Sequence, residues 1–143
     1  MRQYAALAAL ATTGAVLGAD RLSATEKGSL LIYSGAEGTI HISNDYPADV
    51  RLQSYIVNDA CESYDMAFSL TANQITAFST ESLAAPFGDG DSSVSMYVWA
   101  VNGDNAQIRW NHLSGGVIGS GAYASAAAMQ GNNGDTVGQA GVI

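Results

Sequence analysis

From Asp20 onward the chain is cut into short runs of branched and aromatic residues by Gly, Asn, Asp and Ser, at intervals of roughly 8 to 15 residues. This rhythm constrains the fold more than any other feature, because such runs are too short for helices that bury a stripe yet long enough for strands with two alternating faces. Leu30 to Ser34 and Thr39 to Ser43 read as two short strands divided at Gly35 to Gly38 by a turn or bulged hairpin. Asn44-Asp45-Tyr46-Pro47-Ala48-Asp49 reads as a turn, since Asn and Asp side chains cap turns and Pro47 pushes Tyr46 out of the helical region. Val50 to Asn58 places Leu52, Ser54 and Ile56 on one face and Gln53, Tyr55 and Val57 on the other. Neither face is wholly polar, which suits a central strand. Tyr64 to Leu70 alternates more cleanly, with Tyr64, Met66, Phe68 and Leu70 inward. Gln74 to Thr80 is a weaker strand, and Pro86 to Ser93 a Gly/Asp loop.

Val94 to Val101 carries the strongest strand signal, with Val94, Met96, Val98 and Ala100 opposing Ser95, Tyr97, Trp99 and Val101. Asn102-Gly103 then favours a tight turn into an antiparallel neighbour that holds Ile108, Trp110 and His112 on one face. Roughly seven strands without an amphipathic helix describe an all-β fold, an antiparallel β-sandwich of immunoglobulin-like or jelly-roll-like type. Its C-terminal strand reads as incomplete. From Ser114 the chain turns Gly/Ala-rich, with Gly115, Gly116, Gly119, Gly121, Gly131, Gly134, Gly138 and Gly141 around the cluster Ala122 to Ala128. From Gly131 it has too little apolar surface to offset the cost of ordering, so the end reads as poorly anchored or ordered only by a neighbour.

The N-terminus has a different character. Arg2 precedes an uncharged Ala-rich run from Ala5 to Ala19, the layout of a secretory signal peptide, too short and too weakly apolar for a stable transmembrane insertion. The alternative is an alanine-rich helix that is never processed. The expected division is thus 1–19 as signal peptide, 20–118 as β-sandwich domain and 119–143 as Gly/Ala-rich tail. Export implies a secreted, periplasmic or cell-surface location, and the lack of any Asn-x-Ser/Thr acceptor favours a bacterial cell. The chain has 13 acidic against 5 basic side chains and a net charge of -8, which argues against nucleic acid as a partner.

Four segments carry a resemblance: Gly28-Ser-Leu-Leu-Ile-Tyr-Ser34, Ser43-Asn-Asp-Tyr-Pro-Ala-Asp-Val50, Tyr55-Ile-Val-Asn58 and Gln107-Ile-Arg-Trp-Asn-His-Leu113. In this order they resemble a group of uncharacterised exported bacterial β-sandwich proteins with NDYP and IRWNHL segments. The likeness covers residues 24–113, implies an exported β-sandwich and brings no catalytic residue with it. The group's further aromatic strand is not matched after Ser114.

Few side chains announce chemistry. Cys61 is the one cysteine, so no internal disulfide can staple the domain, and its acidic neighbours Asp59, Glu62 and Asp65 disfavour a thiolate. An intermolecular disulfide and an inert, half-buried thiol both remain open for it. His41 reads as an outward residue on an edge strand and His112 as a half-buried ring bonded to a backbone carbonyl; the two lack zinc-type spacing. Asp89 and Asp91, flanking Gly90, are the oxygen-rich candidates for calcium, although the later Glu of a helix-loop-helix calcium loop is missing. No strained Gly-x-Ser-x-Gly elbow presents a serine nucleophile, and pairs of carboxylates are expected by chance in so acidic a chain.

No catalytic residue and no required cofactor is therefore assigned. Tyr55, Tyr97 and Trp99 are the candidate ligand-binding residues if their face is exposed, although the balance of the pattern places Tyr97 and Trp99 in the core. The expected function is that of a non-enzymatic exported protein acting through a protein partner or as a homo-oligomer in surface assembly. A carbohydrate or small-ligand binding module is the alternative, and a hydrolase a more distant one.

Overall fold

The computed structural model describes residues 27–129 and 131–137; the signal-like segment 1–19 lies outside them. Its longest element begins where the pattern predicts two short strands. β1 (Leu30–Asn44) runs unbroken through the Gly35 to Gly38 segment, so the expected turn is a bulge within one strand. Opposite it runs β6 (Leu113–Ala126), antiparallel to β1 from Leu30↔Ala126 to Asn44↔Leu113. The register passes from Ser34↔Ala122 to Glu37↔Ser120, so β1 takes one more residue than β6 to turn the same corner.

The other edge of β1 is shared. Its first half pairs with β5 (Val94–Val101) and its second half with β4 (Ile75–Ser79). β2 (Val50–Val57) lies between β5 and β3 (Ser63–Leu70), giving the path β3-β2-β5-β1-β4 with β6 on β1. The sheet curls into a half-barrel, an all-β, sandwich-like arrangement. Its two ends meet through side chains: Phe68 of β3 and Phe78 of β4 stand edge to face with centroids 5.2 Å apart.

Glycine makes the corner. Gly38 and Gly119 face each other across the ribbon at φ +131° and +136°, conformations that L side chains rarely adopt. A Cβ on Gly38 would lie 2.1 Å from the Ile118 carbonyl oxygen, and one on Gly119 2.1 Å from that of Glu37. Inside the bend sits Tyr33, fully buried, its hydroxyl donating to the His41 carbonyl at 2.7 Å. Gly115 leaves room for it, since a Cβ there would come within 2.1 Å of that hydroxyl. The Tyr123 ring packs against it at 5.1 Å. Leu31, Ile40, Ile42, Leu52, Ile56, Met96 and Val98 fill the remaining interior with no exposed surface.

Alternation places the inward residues of β2 and β3 as the pattern requires: Leu52, Ser54 and Ile56 are buried, and Tyr64, Met66, Phe68 and Leu70 are the more buried set of β3. Other expectations are corrected. A short helix, α1 (Thr80–Ala84), and a single 3-10 turn (Ala85–Phe87) precede the Gly/Asp loop, held by the Tyr64 hydroxyl donating to the Leu83 carbonyl at 2.6 Å. Gln107 to His112 is no strand but a clasp, joined to its surroundings by single bridges and side chains.

The tail boundary at 118 also fails. β6 continues to Ala126 because glycine, alanine and serine are what the tight β1–β6 corner admits. Residues 131–137 are anchored as well. Arg109 N–H donates to the Asp135 carbonyl at 2.8 Å, Gly134 N–H to the Arg109 carbonyl at 2.8 Å and Val137 N–H to the Gln107 carbonyl at 3.0 Å. Backbone hydrogen bonds supply there the order that apolar burial does not.

Candidate functional site

The NDYP and IRWNHL segments form one structural unit. Asn44, buried, donates through Nδ2 to the carbonyls of Ala48 and Thr71 at 2.8 and 3.1 Å and accepts from Trp110 Nε1 at 3.0 Å. Tyr46 stacks on the His112 ring, centroids 4.1 Å apart, and His112 Nε2 is 2.9 Å from Asn133 Oδ1. The His112 partner is thus a side-chain amide rather than a backbone carbonyl. Asn111 Oδ1 accepts from Ser29 Oγ at 2.6 Å and Ala128 N–H at 2.8 Å, tying the start of β1 to the end of β6. A shallow hollow of about 230 Å³ beside this clasp is lined by Arg109, Asn111, His112 and Gly131 to Asn133. Its polar groups are engaged in holding the chain together.

Asp89 and Asp91 are likewise occupied. Asp89 Oδ1 accepts from Asp91 N–H at 3.0 Å and its Oδ2 from Asn58 Nδ2 at 3.2 Å, while Asp91 Oδ1 accepts from Ser93 N–H at 3.1 Å. The Ser93 amide holds the Asp91 carboxyl below its ordinary value. These are side chains capping turns. Among the described residues no three His, Cys, Asp or Glu side chains converge on a position for a metal ion.

Cys61 and His41 both depart from expectation. Cys61 is exposed rather than half-buried. His41 is not on an edge: it lies in β1 between Ala77 of β4 and Gly116 of β6, its ring over the space that glycine leaves open.

Tyr55, Tyr97 and Trp99 do come together, on the outer face of the sheet. Met96 and Val98 point inward, so alternation turns Tyr97 and Trp99 out, against the expectation that they lie in the core. Tyr55 pairs directly with Tyr97 and Gln53 with Trp99. Tyr55 and Tyr97 are 40% and 37% exposed, and Trp99 is half-buried. Leu30 and Ile32 of β1 extend the row beside Trp99 and Tyr97. The result is an aromatic and aliphatic band across three strands.

A second surface is an edge, and sequence reading missed it by ending the domain at 118. β6 spans 14 residues, Leu-Ser-Gly-Gly-Val-Ile-Gly-Ser-Gly-Ala-Tyr-Ala-Ser-Ala, without a charge or proline. Among the described residues no strand lies on its far side. Backbone direction is fixed at its start, where Leu113 exchanges both hydrogen bonds with Gly28 at 2.8 and 3.1 Å, away from β1. By alternation Val117 and the following odd-numbered residues turn their amides away from β1 too, while the Gly115 backbone faces the Tyr123 hydroxyl. Exposed edges are normally blunted by shortness, lysine, proline or a bulge on the edge strand. β6 has none of these, the bulge of this ribbon lying on β1, although Gly28 of the same chain covers the far side of its first residue, Leu113.

No helix among the described residues is long and apolar enough to cross a membrane. Compared with known proteins, the chain matches no family, no curated protein and no solved structure.

Proposed function

We propose that this is a non-enzymatic, exported β-sandwich protein that acts by contact with other protein chains, as an accessory or surface-assembly component, and that β6 is where contact is made. The observation that carries the reading is the uncharged edge of β6 from Val117 onward, which has no described strand on its far side and has the backbone groups to receive one. Export is supported by the basic and then apolar order of residues 1–19. The test is light scattering on the separated full-length chain over a range of concentrations, beside Ala122→Lys. Ala122 is exposed, so lysine there is tolerated by the fold while it charges the edge. The mass is expected to rise with concentration for the native chain and to stay at 14.7 kDa for the variant. A native chain that stays at that mass throughout contradicts assembly.

A second reading rests on the exposure of Tyr55 and Tyr97 beside Trp99 and Gln53: a carbohydrate or small-ligand binding face. Trp99 is half-buried and Trp110 buried, so fluorescence changes on adding polysaccharides should report Trp99 and vanish in Trp99→Ala. Unchanged fluorescence across a broad panel removes this reading.

A further inference from the structure

We infer that the outer aromatic face is a second contact surface, and that its partner is a basic, apolar segment of polypeptide. This goes beyond the contact reading above and does not depend on β6 receiving a strand.

Strand pairing builds the face. Ala124, Ile32, Tyr97, Tyr55 and Asp65 stand side by side in one row across five strands, because directly paired residues of antiparallel strands share a side of the sheet. Leu30, Trp99 and Gln53 belong to the next row. Large apolar side chains left partly in water on adjacent strands mark a contact surface, whereas single exposed ones do not. The face is the outside of a curled sheet, so it meets a chain laid along it more readily than it encloses a small molecule.

Charge identifies that chain. At the β2–β3 hairpin the face ends in carboxylates. Asp65 pairs with Tyr55, and the Tyr55 hydroxyl accepts from Ser63 Oγ at 2.8 Å, two residues nearer the hairpin. Within the hairpin Asn58 Nδ2 donates to Glu62 Oε1 at 2.8 Å and to Asp89 Oδ2 at 3.2 Å, which holds two carboxylates close together. Asp59, exposed beside them, adds a further one. Among the described residues none of these carboxylates has a basic partner. Lys27 pairs with Asp45, and Arg51, the basic side chain on this face, lies at its opposite end, two residues past Gln53.

A field of one sign beside apolar rings selects a segment with arginine or lysine at that end and apolar side chains over the rings. A guanidinium gains further from the ring faces. A second copy is selected against, since it brings the same carboxylates and a net charge of -8. A neutral glycan would use the rings and leave the carboxylates without a role.

The test uses the full chain and three short, soluble, dye-labelled peptides of equal length: arginine with leucine, glutamate with leucine, and arginine with serine. Fluorescence anisotropy should show saturable binding of the arginine/leucine peptide, weakened by sodium chloride, and binding of the other two about tenfold weaker or less. Tyr97→Ser and Asp65→Asn, each with circular dichroism matching the native chain, should each weaken the arginine/leucine peptide several-fold. Asp104→Asn, in the loop after β5 at the end of the sheet away from the hairpin, should leave it unchanged. Equal binding of the arginine/serine and arginine/leucine peptides, or equal losses in Asp104→Asn and Asp65→Asn, means attraction by net charge alone and overturns the inference. Absence of arginine/leucine binding overturns it too, as does a face that responds to neutral polysaccharide and not to this peptide. None of these outcomes touches the β6 reading, which light scattering judges on its own.

Discussion

Tyr33 is the residue on which the bend depends most, because its ring fills the corner and its hydroxyl ties the first half of β1 to the second. Removing that hydroxyl with Tyr33→Phe should cost about 1 kcal/mol in urea unfolding. Burial first, and the neighbouring Tyr123 second, push the Tyr33 phenol well above its ordinary value of 10.0. A raised phenol stabilises the fold fully below pH 10, and that contribution is lost as pH rises from 10 toward the folded value. Stability measured between pH 9 and 11 should therefore fall less steeply in Tyr33→Phe; an unchanged slope contradicts the assignment.

Carboxylates act at the other end of the scale. Asp45 is held below its ordinary value of 3.8 by the ion pair and hydrogen bond with Lys27. Its contribution is present above that value and lost as pH falls through the lowered one. NMR titration should find the Asp45 carboxyl titrating at higher pH in Lys27→Ala than in the native chain. Gly38→Ala combines a forbidden φ with a backbone clash and should cost about 2–3 kcal/mol or more by thermal unfolding. The turn chemistry of Asn44 was readable from its place before Asp45, Tyr46 and Pro47. Its bond to Trp110, 66 positions away, was not, because spacing along a chain carries no information on which buried polar groups meet.

At the scale of elements, alternation identified every strand from β2 to β5 and the inward set of β2 and β3, and split β1 into two. It failed where the side chains were small. Glycine at 35, 38, 119 and 121 signals a turn when read locally, yet in the ribbon it permits two backbones to approach and bend together. For the same reason β6 looked like a tail: Gly, Ala and Ser carry little hydrophobic contrast, and pairing with a long β1 replaces it. Gln107 to His112 failed in the opposite sense, since Ile108 and Trp110 are buried at alternate positions without a ladder beside them. The aromatic face was legible in membership but not in direction. Its residues share a side, and only the burial of Met96 and Val98 says which side is out.

For the whole molecule, the small core and the absence of an internal disulfide, Cys61 being the one cysteine, leave stability to packing and to whatever joins the open edge. Long-range repulsion between acidic copies opposes association through a neutral strand, so added salt should strengthen it by screening. Sedimentation at low and high sodium chloride should show the larger mass at high salt, and the reverse would point to a contact made by ion pairs. The central claim is that β6 joins chains by its backbone, and amide hydrogen exchange against protein concentration reads this directly. The amides of Val117, Gly119, Gly121, Tyr123 and Ser125 should exchange more slowly as concentration rises, while those of β3 keep their rates. If the β6 amides exchange equally fast from dilute to concentrated solution, strand addition at this edge is contradicted.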